Sequence, residues 1–371
     1  MAAVTPRFLH DNLAILAATV IDASSEVSTL PPGRLRLATP TDVWRSKTGW
    51  NIVAGFNDKM DFNFNAGGAD VATLTAGNYA TGALMAAQIV TALEAADSAP
   101  VWTCTYDSGT KLFTIGADGN FVLLFLTGAN LAASVGPDLG YDVEDTASGT
   151  SAVADDAVYK SREWIRFDLG AAAAYTSGYV LGHNLGASHT VKLLGKSASD
   201  VWDTPGNSQT LAGDDLANKR ILFFASQSYR YLLVLFEDQG NSAGFTEAGV
   251  VFAGTYDQLA RGVEPGAVRR GVLLAPMVRG LGGAIFKETR NNPKTLTQSF
   301  RYLTRADVDT YQAMEDSVVG KHMLLAADPQ NYPGKDSHYG AIAEPAEIMH
   351  EPNSADPPLY RISIIFAEDL G

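Results

Sequence analysis

The octapeptide "EWIRFDLG", Glu163 to Gly170, alternates between apolar and polar positions from Ile165 onward. As a strand it puts Ile165, Phe167 and Leu169 on one face and Trp164, Arg166 and Asp168 on the other. The first face can enter a core between two sheets while Trp164 and Arg166 cover an edge. A second stretch, "TDVWRSKTGW" (Thr41 to Trp50), reads as its natural neighbour, although more than a hundred residues lie between them. Deleting residues 56–158 joins "NLAILAATVIDASSE" and "LRLATPTDVWRSKTGWNIV" to "EWIRFDLGAAAAYTSGYVLGHNL", "HTVKLLGKSASDVWDTPG", "KRILFFASQSYRYLLVLFED" and "FTEAGVVFAGTY". These are short strands separated by turn residues, with no helical period, a pattern that predicts a β-sandwich. The deleted segment is then a second domain planted in one loop. Such an insertion costs little, because loop-closure entropy grows slowly with length.

Charge marks the same boundary. Residues 56–158 hold thirteen acidic and two basic side chains, a net of −11, against −3 for the other 268 residues of a chain of net charge −14. The segment reads as a compact α+β unit. "MDFNFNAGG" (Met60 to Gly68) is a strand ending in a turn. "NYATGALMAAQIVTALEAAD" (Asn78 to Asp97) is a helix with Leu84, Ala87, Val90 and Leu93 at helical spacing. "VWTCTYDSGTKLFTIG" (Val101 to Gly116) is a hairpin turning at Asp107–Thr110, and "FVLLFLTGAN" one further strand. "LGYDVEDTASGTSAVADDAVY" (Leu139 to Tyr159) reads as a return linker.

The outer segments resemble the galactose-binding-like, or discoidin-like, jelly roll through "ASS" (Ala23 to Ser25), "VWRS" (Val43 to Ser46), "WIRFDLG", the Val191-to-Trp202 strand and turn, "YRYLLVLF" and "AGVVFAG". The inserted segment is similar to a module of bacteriophage tail and virion proteins, through its "FNF" strand, "LTAGNYATGALMAAQIVTALEAA", "TCTYDSGTKLFTIGADGNFVLLFLTG" and "LGYD". Jelly rolls of this group often bind sugars through loops at one end. Trp50 and Trp202 are therefore weak candidates for glycan contact, with packing in the core or at the lobe junction as the other reading of each.

From Thr255 the texture changes. "GGAIFKETRNNPKTLTQSFRYLT" gives two strands about Asn291-Asn292-Pro293. "RADVDTYQAMEDSVVG" (Arg305 to Gly320) gives a helix with Thr304 as N-cap, Asp307 as its acidic third residue, Gly320 as its stop, and Val308, Tyr311 and Met314–Glu315 as its packed stripe. "KHMLLAAD", "YGAIAEP" and "LYRISIIFAEDL" supply further strands. The order resembles the β-sandwich units of phage tail-tube and distal-tail proteins, which build rings.

The expected architecture is thus mainly β: a jelly roll from 1–55 and 159–254, an acidic α+β insert at 56–158, and a C-terminal β-sandwich-like assembly domain carrying one helix at 255–371. The resemblances imply a structural component of a phage virion tail tip or baseplate, synthesised in the host cytoplasm. It would assemble with itself as a trimeric or hexameric ring and with other tail proteins. The alternative is a carbohydrate-binding, host-recognition protein of the virion, with a host surface glycan as partner.

Other classes find little support. The negative charge and the absence of any run of three basic residues argue against nucleic acid and anionic membranes. The longest apolar runs, such as "YLLVLFE" and "FVLLFL", are strand-sized, far short of the roughly 18 residues of a membrane span. The start "MAAVTPRFLHDNL" does not read as a secretion signal. The single cysteine, Cys104, permits neither an internal disulfide nor a zinc–thiolate cluster, and lies in phase with Trp102 and Tyr106 as a buried, inert thiol. The six histidines are scattered. His183 and His189 lack zinc-enzyme spacing, and His183 in "GHNLG" reads as locally bonded. With no nucleophile elbow and no phosphate loop, the sequence predicts no enzyme, no cofactor and no metal site.

Overall fold

The computed structural model describes residues 5–16, 19–37, 40–186, 189–198, 206–214, 219–260, 262, 268–271, 277–279, 285–287, 294–319, 321–330, 337–351 and 358–368. Two strands of 19 residues, Glu163–Leu181 and Lys219–Glu237, run antiparallel along their whole length. Their register shifts between Asp168 and Ala173 and between Tyr175 and Ser177, and such bulges let a strand bend from one layer of a sandwich into the other. The first half of the ribbon is flanked by Val20–Ala23 and by Thr190–Lys196 with Asn207–Thr210. The second half is flanked by Val250–Gly254 and Ala212–Asp214. Both halves feed one core, in which Ile165 and Phe167 meet Tyr175, Val180, Val234, Phe236, Val251 and Trp44. The inward face read from "WIRFDLG" is correct. On its outward face, Trp164 is buried against Leu194, Leu233 and Leu235, Arg166 pairs with Asp22, and Asp168 takes both arms of Arg230.

The acidic segment has its own sheet, in the order Gly149–Val153, Phe113–Leu123, Lys59–Phe64, Ala69–Thr73, with Trp102–Tyr106 also paired to Phe113–Leu123. Helix α1, Gly82–Ala96, starts where the Thr81 hydroxyl accepts from the Leu84 amide at 3.3 Å. Its buried face is Met85, Ala86, Ile89, Ala92 and Leu93. The predicted stripe through Leu84, Ala87 and Val90 is displaced around the helix, and Leu84 is exposed. The predicted return linker contains a strand, Gly149–Val153, and the second hairpin arm runs on unbroken into "FVL". The lobe also reaches back beyond residue 56. Trp50–Ile52 pairs with Gly77–Tyr79, and Trp50 and Ile52 pack in the lobe core.

The C-terminal sheet has the order Arg7–Leu9, Met323–Ala326, Ser337–His350, Tyr360–Glu368, Lys294–Leu303, Val268–Gly271. Helix α2, Arg305–Val318, packs on it through Val308, Tyr311 and Met314 and opens with a full capping box between Thr304 and Asp307. Gly320 and residues 288–293, including Asn291-Asn292-Pro293, lie outside the described residues. The strand Arg7–Leu9, grouped with the sandwich in the sequence reading, pairs instead with Met323–Ala326 of this sheet. Leu9 then packs with Tyr179, Phe252, Leu324 and Tyr339, joining sheet and sandwich in one apolar cluster.

Candidate functional site

The densest polar construction lies where the lobe leaves the sandwich. "YKSRE" (Tyr159 to Glu163) leads from the lobe into the first long strand, and Lys160, Ser161 and Glu163 on it are wholly buried. Lys160 donates from Nζ to Thr246 Oγ1 at 2.7 Å and to the Ser161 carbonyl at 3.4 Å. Arg162 donates from Nε to Asp138 Oδ1 at 3.0 Å, from Nη2 to Asp138 Oδ2 at 3.2 Å and from Nη2 to the Ser134 carbonyl at 2.9 Å. Asn57 adds a donor to Asp138 Oδ2 at 2.8 Å. Glu163 is bonded by Ser24, Ser25 and Asn51.

Burial sets the protonation of this cluster. It pushes the Glu163 carboxyl up to about 7, although Lys160 and the three hydrogen-bonding neighbours hold it down in part. Burial likewise lowers the proton affinity of Lys160, against the opposing pull of Glu163, Asp238 and Asp138. For Arg162, burial works to lower the value, but the charge and hydrogen bonds of Asp138 outweigh it and the net direction is upward. Buried charges persist only when paired and bonded, and here the groups come from both modules.

Beside this cluster is an open cleft of about 530 Å³ between the modules. The lobe contributes Pro137, Gly140 to Val143 and Asp156 to Val158, and the sandwich contributes Gly186 and Asp238 to Gly240. Asp238, at its floor, accepts from the Gly186 amide and from Asn241 Nδ2. Gln239 donates across the junction to the Pro137 carbonyl at 3.2 Å. Asp142, Asp156 and Gly240 stand exposed at the rim. The size suits a small ligand, and the lining is hydroxyl-binding in chemistry: carboxylates, an amide and accessible backbone.

The residues singled out in the sequence do not converge there. Trp50 is 3% exposed, its indole wedged edge-on against Tyr106 and Phe113 and its Nε1 donating to the Asp138 carbonyl at 2.9 Å. It therefore offers no open face for stacking a sugar, and the packing reading of Trp50 is the one the structure supports. Trp202 lies outside the described residues. His183 Nδ1 accepts from the Leu185 amide at 3.4 Å, and burial, Arg220 and His189 push it down to about 3. Cys104 is partly buried against the lobe core, and burial raises its thiol to about 12.

One alignment was not legible in sequence. Ser317 Oγ lies 2.9 Å from His10 Nδ1, and His10 Nε2 lies 2.7 Å from Asp257 Oδ2. The Ser317 hydroxyl donates to the Met314 carbonyl at 2.7 Å, so toward His10 it acts as acceptor, opposite to the polarity of an activated nucleophile. The three residues tie the N-terminal strand to the end of α2. Among the described residues no group of three or more metal-ligating side chains comes together.

No family model matches the chain, and no curated protein is similar to it. Solved structures similar to it in part include the chitosan-binding module 1 of a chitosanase/glucanase from Paenibacillus sp. IK-5, at 12% identity over 66% of this chain and 98% of that one, with a TM-score of 0.29. Two others are the lectin domain of lectinolysin complexed with Lewis B antigen (12% identity, 26% and 67% of the two chains, TM-score 0.21) and CpGH89CBM32-5 from Clostridium perfringens in complex with GalNAc-β-1,3-galactose (16%, 25% and 66%, TM-score 0.20).

Proposed function

We propose that the protein binds carbohydrate without cleaving it, as a host-recognition component of a phage virion, and that the cleft between lobe and sandwich is the site. The observation that carries this is the position and lining of the cleft. It opens where loops of the sandwich and the lobe meet, the place in such sandwiches where binding concentrates, and it presents exposed Asp142 and Asp156 and half-buried Gln239 around accessible glycines. Carboxylates and amides accept and donate to sugar hydroxyls without changing protonation. Behind the cleft, Arg162 and Asp138 are bonded to each other, and Lys160 and Glu163 to neutral neighbours, which holds the walls in place. Screening the purified protein on an array of bacterial surface glycans tests the reading. The expected result is binding to a defined set, weakened at least tenfold by Gln239→Ala or Asp142→Ala. No glycan bound, or binding indifferent to both changes, overturns it.

A second reading, a structural part of the tail tip or baseplate assembled as a ring of three or six, is favoured by the strand Arg7–Leu9. It sews the start of the chain into the C-terminal sheet, and the cluster around Leu9 fixes that sheet to the sandwich, giving the stiffness a ring scaffold needs. Light scattering after size exclusion should then give a trimer or hexamer. A monomer at every concentration counts against it.

A further inference from the structure

One group in the junction can be fully hydrogen-bonded in two protonation states. Ionised, the Glu163 carboxylate accepts from Ser25 Oγ at 3.1 Å, from Asn51 Nδ2 and from Ser24 Oγ. Ser24 Oγ has a second acceptor within reach, the Trp164 carbonyl at 3.3 Å, and itself accepts from the Trp164 amide at 2.9 Å. A hydroxyl has one proton and two lone pairs. If the Ser24 proton turns to Trp164, the free lone pair can accept a proton held on Glu163. Rotating one hydroxyl converts one satisfied arrangement into the other with no backbone movement.

The charges around Glu163 allow both states. Lys160 is the nearby cation, and Asp138 from the lobe and Asp238 from the sandwich also face it, so neutralising Glu163 does not strand the ammonium. Arg162 is committed to Asp138, with Glu237 facing it from the end of the second long strand. The state of the carboxyl reaches the lobe through Asn51, whose side chain donates to Glu163 and accepts from Asn78 Nδ2 at 2.7 Å on the strand Gly77–Tyr79.

We propose that Glu163 is a proton-responsive clamp between lobe and sandwich, tighter when its carboxyl carries a proton, which sets how firmly the two walls of the cleft are held together. The sign follows from burial. An acid whose folded value is raised from 4.5 to about 7 contributes stability that is fully present below 4.5 and lost as pH rises past 7. Lys160 acts in the opposite sense, its lowered value contributing stability that is lost as pH falls through it. Its charge is also what keeps Glu163 from rising further.

Hydrogen exchange of the Asn51 and Trp164 amides, in the full-length protein and corrected for intrinsic pH dependence, reads the opening of this junction. Opening should fall about tenfold from pH 8 to pH 6 in the wild type. Glu163→Gln, neutral at both values, should flatten that dependence, and the difference between the two proteins removes any contribution from histidines. Lys160→Met should move the transition to higher pH, and this second variant keeps the test decisive where the first does not fold. Wild-type opening that is flat between pH 8 and pH 6, a Gln variant with the wild-type slope, or a Met variant whose transition stays or moves lower overturns the proposal.

Discussion

Trp44 lies against Phe236 in the sandwich core, with ring centroids 5.9 Å apart and planes 29° from parallel. Trp44 has no solvent exposure, and its Nε1 donates to the Ser25 carbonyl at 3.1 Å. The Ser24 amide in turn donates to the Trp164 carbonyl at 3.0 Å. Segments on either side of the lobe thus belong to one folding unit. Trp44→Ala should cost about 3–5 kcal/mol, the range for removing a large buried aromatic, seen as a lower midpoint in urea. A cost under 1 kcal/mol would place Trp44 outside the core.

The Arg162–Asp138 pair predicts a non-additive response. Asp138 is wholly buried, and Arg162→Met removes the cation hydrogen-bonded to its carboxylate, which should cost about 3–5 kcal/mol. Adding Asp138→Leu removes the stranded charge and should recover part of that loss. Denaturant titration of the two singles and the double closes the cycle. A double variant as unstable as the sum of the singles would mean the pair does not act as a unit.

Much of this architecture could be read locally. The alternation of "WIRFDLG" put Ile165 and Phe167 in the core, and the spacing of Thr304 and Asp307 marked the start of α2. Features set by distant partners could not be read this way. Leu9 pairs with Leu324, more than three hundred residues on. In α1 the buried positions include Ala86 and Ala92, which carry a weaker hydropathy signal than Leu84 and Val90, so the stripe appeared rotated. Gly149–Val153 is an edge strand that buries Ala152 alone, and its polarity made it look like linker. The junction charges were invisible for a related reason: Lys160 and Glu163 are residue types that normally face water, and only the fold brings Ser24, Asn51 and Thr246 around them.

Asp307 should matter more than an ordinary acidic residue at a helix start, because it is buried. Its carboxylate accepts from the Thr304 amide and hydroxyl, at 2.9 and 2.7 Å, and from the Ala260 amide at 2.9 Å. It therefore caps α2 and anchors the segment arriving from the sandwich. Asp307→Ala should cost about 2 kcal/mol, against about 1 kcal/mol for Thr304→Ala, which removes the cap alone. Equal losses in thermal or chemical unfolding would show that the Ala260 contact contributes nothing.

Gly254 tests how the N-terminal segment is docked. A Cβ at this position would lie 2.0 Å from the Asp11 carbonyl oxygen, a rigid backbone atom, and 2.9 Å from the Phe252 ring. The neighbouring Asn12 reaches over the same strand, donating to the Val251 carbonyl at 2.7 Å and accepting from the Ala253 amide at 3.2 Å. Gly254→Ala must push the Asp11 backbone away and with it the strand Arg7–Leu9, at a cost of about 1–3 kcal/mol. The loss should be local. Limited proteolysis should cut near Asp11 faster than in the wild type, while the lobe, with its separate core of Trp50, Phe62, Trp102 and Phe113, keeps its resistance. Unchanged cleavage near Asp11 would mean that the docking of the N-terminal strand does not depend on the close approach of Asp11 to Gly254.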